Sequence, residues 1–204
     1  KFITPLSFES LTEMPCRIDD DMFGGLDGET HISLARNKDL LVIAPATATT
    51  IAGLALGTAS NLLTATVLAS RCPIVLCPAM HTQMWESVPV RRNIDILLQD
   101  PRYFIVPPDE GDLASGDHGP GRLPKTSRIV AHCLAALTPQ TLAGRTVVVT
   151  AGPTREHIDP VRCITNPSSG RMGWHLAESA RRRGADVRLI LGPCDVEPDM
   201  GGPG

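Results

Sequence analysis

Asp39-Leu-Leu-Val-Ile-Ala44 is an uninterrupted apolar run followed at once by Pro45, and Pro73-Ile-Val-Leu-Cys77 repeats the arrangement before Pro78. A run of this kind, with no polar alternation, is the pattern of a strand covered on both faces, as in a parallel sheet. The prolines are expected to close both strands, since proline cannot donate to a ladder. Arg102-Tyr-Phe-Ile-Val106, ahead of Pro107-Pro108, reads as a third strand. A small-residue helical stretch is expected after the first strand through about Leu68. A second helix is expected over Met80 to Leu98, broken or kinked at Pro89. Asp109 to Lys125, dense in Gly, Asp and Pro, reads as a loop. Thr126 to Leu137 closes the unit as a helix with Ile129, Val130, Cys133 and Leu137 on one face. Strand–helix alternation predicts an α/β fold with a doubly wound parallel sheet.

Ligands of such sheets sit at the carboxyl ends of the strands. That rule places Pro45-Ala-Thr, Pro78-Ala-Met and the 109–125 segment on one common rim.

Thr138 to Gly144 reads as a linker, and Thr146-Val-Val-Val-Thr150 as the first strand of a second unit. A loop and Asn166-Pro-Ser-Ser-Gly-Arg-Met-Gly173 lead into a helix with Met172, Leu176, Ala177 and Ala180 on one face. Arg181-Arg-Arg183 and Gly184 suit its C-terminal end, and Asp186 to Leu191 reads as the next strand. The expected division is therefore 1–138, an α/β domain, and 139–204, the start of a second Rossmann-like domain.

The 204 residues carry 19 Lys plus Arg against 22 Asp plus Glu, a net charge of −3, with only 4 Phe, 2 Trp and 1 Tyr. This balance disfavours nucleic-acid binding, which needs surplus cations and stacking aromatics. Six cysteines with no CxxC pair fit a reduced, cytoplasmic compartment without structural zinc. The uncharged run from Leu40 to Ser70 is long enough to span a bilayer. Its Pro45, Gly53, Gly57 and six threonines instead favour a buried strand and buried helices. The opening Lys1 and the loop-like Met200-Gly-Gly-Pro-Gly204 suggest a piece of a longer protein.

The rim motifs resemble the flavin-containing cysteine decarboxylases. Joined to the second unit, the chain resembles the bifunctional coenzyme A biosynthesis flavoproteins. The motifs carrying the resemblance are His31-Ile-Ser-Leu34, Ala44-Pro-Ala-Thr-Ala-Thr-Thr-Ile51, Pro78-Ala-Met-His-Thr-Gln-Met-Trp85 and Ala114-Ser-Gly-Asp-His-Gly-Pro-Gly-Arg122. In the second unit they are Ala151-Gly-Pro-Thr-Arg-Glu156, Ile158-Asp-Pro-Val-Arg162 and Asn166 to Gly173. The resemblance implies FMN-dependent decarboxylation of phosphopantothenoylcysteine to phosphopantetheine. It also implies CTP-dependent ligation of phosphopantothenate with cysteine, with Mg2+ accompanying CTP. A trimer-based homo-oligomer is implied by the same resemblance. In that chemistry FMN oxidises the thiol-bearing carbon, carbon dioxide leaves, and an enethiol is reduced to the saturated thiol.

The resemblance assigns His31 as an active-site histidine able to work as acid or base near neutral pH. It assigns Pro45, Ala46, Thr47, Thr49, Thr50 and Met80 to the FMN site. His81 stands where the family has an asparagine that orients the substrate carboxylate. Ser115 stands where it has a proton-donating cysteine, and an alcohol is far less acidic than a thiol. Thr49 replaces an Asn or Asp. Gly119, Gly121 and Arg122 belong to a clamp over the substrate, and Arg162 to phosphopantothenate. Gly152, Asn166, Ser169 and Gly170 belong to the nucleotide, where free amides at a helix start suit phosphate. Met80, Met84 and Trp85 read equally as core. A second reading is a catalytically impaired decarboxylase-like subunit acting through oligomer assembly. A third, an unrelated nucleotide-binding oxidoreductase, is disfavoured by the missing GxGxxG after Thr150.

Overall fold

The computed structural model describes residues 3–22 and 30–194. The Met200–Gly204 reading lies outside these. The chain divides into two compact units, 1–125 and 126–204, so the helix at 126–137 falls in the second unit.

In the first unit, helix α1 (Pro5–Thr12), a 3-10 turn (Asp19–Met22) and helix α2 (Thr30–Ala35) precede the sheet. Strand β1 (Leu41–Ala46) leads to α3 (Ala48–Leu56) and α4 (Leu62–Ala69). Strand β2 (Ile74–Pro78) leads to α5 (Thr82–Trp85) and α6 (Val88–Leu97), and β3 (Tyr103–Ile105) follows. The three strands form a parallel sheet in the order β1-β2-β3, with Leu41 opposite Ile74 and Ile74 opposite Tyr103.

The central strand fulfils the sequence expectation: every residue of Ile74–Pro78 is buried. Ile51, Ile74 and Leu76 are fully enclosed, and Ile43, Leu54, Val67, Trp85, Val90, Ile94 and Leu97 complete one core. Each large aliphatic side chain so buried contributes about 1.5–3 kcal/mol relative to exposure.

Three expectations need correction. Strand β1 is not covered on both faces: only Ile43 and Ala46 are buried, because β1 lies at the sheet edge among the described residues. Pro45 does not stop its strand: it lies inside β1, and the β1–β2 register shifts between Ile43 and Ala46 to accommodate the missing donor. Pro78, by contrast, is the last residue of β2 and closes it as expected. The helical stretch through Leu68 is two helices. Gly57 takes the left-handed conformation that ends α3, and Asn61 starts α4 with a reciprocal capping box to Thr64. Pro89 does break the expected 80–98 helix, sitting in the first turn of α6, where its missing N–H costs nothing.

The 109–125 segment is also more ordered than a loop. Strands β4 (Asp109–Asp112) and β5 (His118–Arg122) pair antiparallel as a hairpin.

The second unit holds α7 (Thr126–Leu137), β6 (Thr146–Ala151), the short antiparallel pair β7 (Arg155–His157) and β8 (Cys163–Thr165), α8 (Arg171–Arg182) and β9 (Asp186–Leu191). Strands β6 and β9 pair in parallel from Thr146–Asp186 to Ala151–Leu191, with α8 between them in sequence, the βαβ unit expected. Helix α8 packs flush on β6 because residue 173 is glycine: a Cβ there would stand 2.5 Å from the Ala151 Cβ. No helix among the described residues is long and apolar enough to cross a membrane.

Candidate functional site

Hydrogen bonds join the rim of the first unit. The Ala79 N–H donates to the Ala46 carbonyl at 3.1 Å, tying the end of β2 to the end of β1. The Met80 N–H donates to the Gly121 carbonyl at 3.0 Å, tying the hairpin to the same place. The three segments expected to meet do meet. Two glycines permit the approach: a Cβ at 121 would collide with the Met80 carbonyl oxygen, and one at 119 would stand 2.6 Å from Thr82 Oγ1.

His81 and Ser115 are brought together by a residue the sequence reading passed over. His81 is the N-cap of α5, and its Nδ1 accepts the Gln83 N–H at 3.3 Å. With Nδ1 occupied as an acceptor, the neutral ring carries its proton on Nε2. Nε2 lies 2.8 Å from Asp117 Oδ2, and Ser115 Oγ donates to the same oxygen at 3.0 Å. The His81 bond, and after it the Ser115 bond, hold the Asp117 carboxyl below its ordinary value. Asp117 stood inside the quoted Ala114–Arg122 motif. Only its spacing from Ser115 was readable, because His81 is 36 residues away in the chain.

Around this cluster, Thr47 caps α3 by accepting the Thr50 N–H, and its hydroxyl lies 3.1 Å from that of Thr50. Thr49 and Pro45 are exposed and Ala46 is buried. Met80 packs against the core, and Trp85 is within it with the Arg91 guanidinium 4.4 Å over its ring. Met84 is exposed. Arg122 is exposed at the end of β5 beside Asp112. His31 lies on α2, and its Nδ1 is a buried atom with no hydrogen-bond partner among the described residues. No hydrogen bond described joins it to the His81–Asp117–Ser115 cluster. Thr82 Oγ1 is likewise buried without a partner.

In the second unit, Gly152 and Gly170 both adopt positive φ, 92° and 75°, which only glycine takes without strain. Gly170 is the N-cap of α8, with no side-chain cap. A Cβ on it would stand 2.8 Å from Cys194 Sγ and 3.4 Å from the Gly152 nitrogen, so the two glycines and Cys194 lie together. Asn166 and Ser169 are exposed just before the helix. Arg162 turns instead to Asp159, its Nε donating to Oδ2 at 2.6 Å, and this contact lowers the Asp159 carboxyl. Its charge is thus already matched. Among the described residues no group of three or more His, Cys, Asp or Glu could hold a metal ion.

The first unit is a parallel α/β sheet with a threonine-rich rim, and sequence comparison makes the class of protein definite. The chain belongs to the flavoprotein family, whose pattern matches residues 1–138. The DNA/pantothenate metabolism flavoprotein C-terminal domain matches residues 142–202. The chain is 41% identical over 203 residues to the coenzyme A biosynthesis bifunctional protein CoaBC of Vibrio cholerae, covering 98% of this chain and 50% of that protein. It therefore spans about half the length of the curated relatives it matches.

Among solved structures it resembles an FMN-dependent cysteine decarboxylase, SpaF, with a TM-score of 0.53 and 37% identity over 67% of this chain and 73% of that one. It also resembles a cysteine-to-serine mutant of PPC decarboxylase complexed with pantothenoylaminoethenethiol. That match has a TM-score of 0.54 and 33% identity over 57% of this chain and 67% of that one.

Proposed function

We propose that the protein serves coenzyme A biosynthesis in the cytoplasm. In this reading its first unit decarboxylates phosphopantothenoylcysteine to phosphopantetheine with FMN. Its second unit contributes to CTP-dependent joining of phosphopantothenate and cysteine. The observation that carries the reading is the meeting of the β1 end, the β2 end and the β4–β5 hairpin at His81 and Ser115. The likeness to two decarboxylases supports it.

The rim suits a flavin nucleotide. Thr47, Thr49 and Thr50 offer hydroxyls at the start of the nine-residue α3, and Pro45, Ala46 and Met80 offer apolar surface beside them. FMN, when bound, supplies the reversible two-electron chemistry that no side chain here can. The protein's part is placement and protons. His81 presents an N–H toward a carboxylate, Ser115 and Asp117 sit beside it, and Gly119, Gly121 and Arg122 form the covering strand. His31 is an acid or base with one nitrogen uncommitted. In the second unit the start of α8, with Gly152, Asn166, Ser169 and Gly170, would hold the phosphates of CTP with its Mg2+. Arg162 would reach phosphopantothenate by exchanging its Asp159 partner.

Assembly as a trimer-based homo-oligomer is part of the reading. Val42, Leu56, Leu63 and Leu68, all in the uncharged 40–70 run, remain exposed on one chain.

The test is spectroscopic titration of the protein with FMN, followed by carbon dioxide release from phosphopantothenoylcysteine. Bound flavin and substrate-dependent release are expected. Absence of flavin binding overturns the reading. His81→Asn should raise carbon dioxide release, and adding Ser115→Cys should convert accumulated enethiol to the saturated thiol.

A further inference from the structure

His81 and Ser115 are far apart in sequence but share a single acceptor atom, Asp117 Oδ2. Three features make that sharing directional. The Gln83 N–H occupies His81 Nδ1, so the ring meets the carboxylate as an Nε2–H donor. The Ser115 hydroxyl spends its one proton on the same oxygen and accepts the Asp117 N–H at 3.5 Å, so one lone pair is left for a ligand. The hairpin tip is set by its own backbone, with the Leu113 N–H donating to the Asp117 carbonyl at 2.8 Å and the Gly116 N–H to the Leu113 carbonyl at 2.9 Å. Asp117 is therefore delivered to His81 by the hairpin rather than by chance of a long side chain. The Met80–Gly121 bond at the other end of β5 fixes the distance.

We propose that Asp117 is a positioning residue that makes His81 and Ser115 one hydrogen-bonded unit. It fixes the His81 ring as an Nε2–H donor and commits the Ser115 proton, so that Ser115 meets a ligand as an acceptor. This deepens the decarboxylase reading and rests on it for its functional meaning. The coupling itself does not depend on flavin or turnover. It also gives a physical link between His81 and Ser115, two of the positions at which the chain departs from the decarboxylase motif. A ring and a hydroxyl that converge on one carboxylate oxygen work as a pair, so replacing either one changes the other.

The experiment is 15N NMR of the histidine rings in the whole chain. The wild-type protein is expected to show a protected ring N–H on Nε2 that disappears in His81→Asn. Asp117→Ala should abolish it. Asp117→Asn, which keeps an acceptor oxygen and the side-chain shape, should retain it at a higher-field shift.

The decisive variant is Ser115→Ala. One carboxylate oxygen shared by two donors bonds each less strongly, so removing the hydroxyl should move the His81 N–H resonance downfield. A Ser115→Ala spectrum with that resonance unmoved, or a wild-type ring protonated on Nδ1, overturns the proposal. In FMN-loaded protein, Asp117→Ala/Ser115→Ala should lose no more carbon dioxide release than Asp117→Ala alone, as residues acting as a unit do. Additive losses also overturn it. A protein without decarboxylase activity but with the predicted spectra would sink the functional reading and leave the coupling standing.

Discussion

Gly121 lies directly beneath the Met80 carbonyl, close enough that a methyl group on residue 121 would overlap the carbonyl oxygen. Because the obstacle is backbone, it cannot swing aside as a side chain tip would. Gly121→Ala should therefore lift the hairpin, break the Met80–Gly121 hydrogen bond and cost about 1–3 kcal/mol, the usual range for overpacking. Urea unfolding followed by Trp85 emission checks the stability. Loss of the His81 ring N–H signal in the same variant checks the displacement.

Asn61 supports α4 twice over, accepting the Thr64 N–H at 2.8 Å while Thr64 Oγ1 accepts the Asn61 N–H at 3.3 Å. Asn61→Ala removes the side-chain acceptor and leaves an orphan donor at a helix start whose Thr64 is buried. A loss of about 1–2 kcal/mol is expected from urea midpoints. Asn61→Asp should recover most of it.

The interior of the sheet was legible in the sequence, and its margins were not. Ile74 to Cys77 reads as a doubly covered strand and is one. The same apolar pattern in Asp39 to Ala44 gives a strand at the edge of the sheet among the described residues, because composition reports what a strand tolerates and not which neighbours it has. Proline's exclusion from ladders held at Pro78, where β2 ends, and failed at Pro45, where a register shift absorbs the missing donor. Hairpin β4–β5 was hidden because Gly and Asp dominate it, and these are the residues of loops. At the site, the family resemblance pointed to His81 and Ser115. Asp117 gained its meaning only when folding brought the hairpin tip to α5, a relation that no local pattern encodes.

His118 on the hairpin is raised above its ordinary value, first by its hydrogen bond to Asp112 at 2.9 Å and further by the charges of Asp112 and Glu110. Asp112 is lowered by the same bond. The pair's contribution to the hairpin is therefore complete just below the ordinary imidazole value of 6.5 and is lost as pH rises through the higher folded value. NMR titration should place the His118 midpoint above 6.5, and Asp112→Asn should bring it down. An unchanged midpoint in that variant would contradict the pairing.

Each unit carries one tryptophan, Trp85 in the first and Trp174 on α8 in the second. Gly173→Val places branched carbons where even a Cβ meets Ala151 at 2.5 Å and the Thr150 carbonyl at 2.9 Å. The α8–β6 packing should fail, at a cost of about 3 kcal/mol or less. In a Trp85→Phe background the remaining emission should shift to the red. In a Trp174→Phe background Gly173→Val should leave the emission of Trp85 as it was. A shift in both would mean that the two units lose structure together.

The distance in sequence between the partners of the first unit also orders events in time. The turn from Asp112 to His118 closes within a few residues, and such hairpins form in about 1–10 μs. Pairing of Leu41 with Ile74 must wait for the whole α3–α4 segment to be gathered in, and contacts so remote slow folding. The bond between His81 and Asp117 spans 36 residues and needs both the finished sheet and the finished hairpin. The chain therefore completes its rim after its core, and a nascent molecule with a native-like interior still lacks the link between His81 and Asp117.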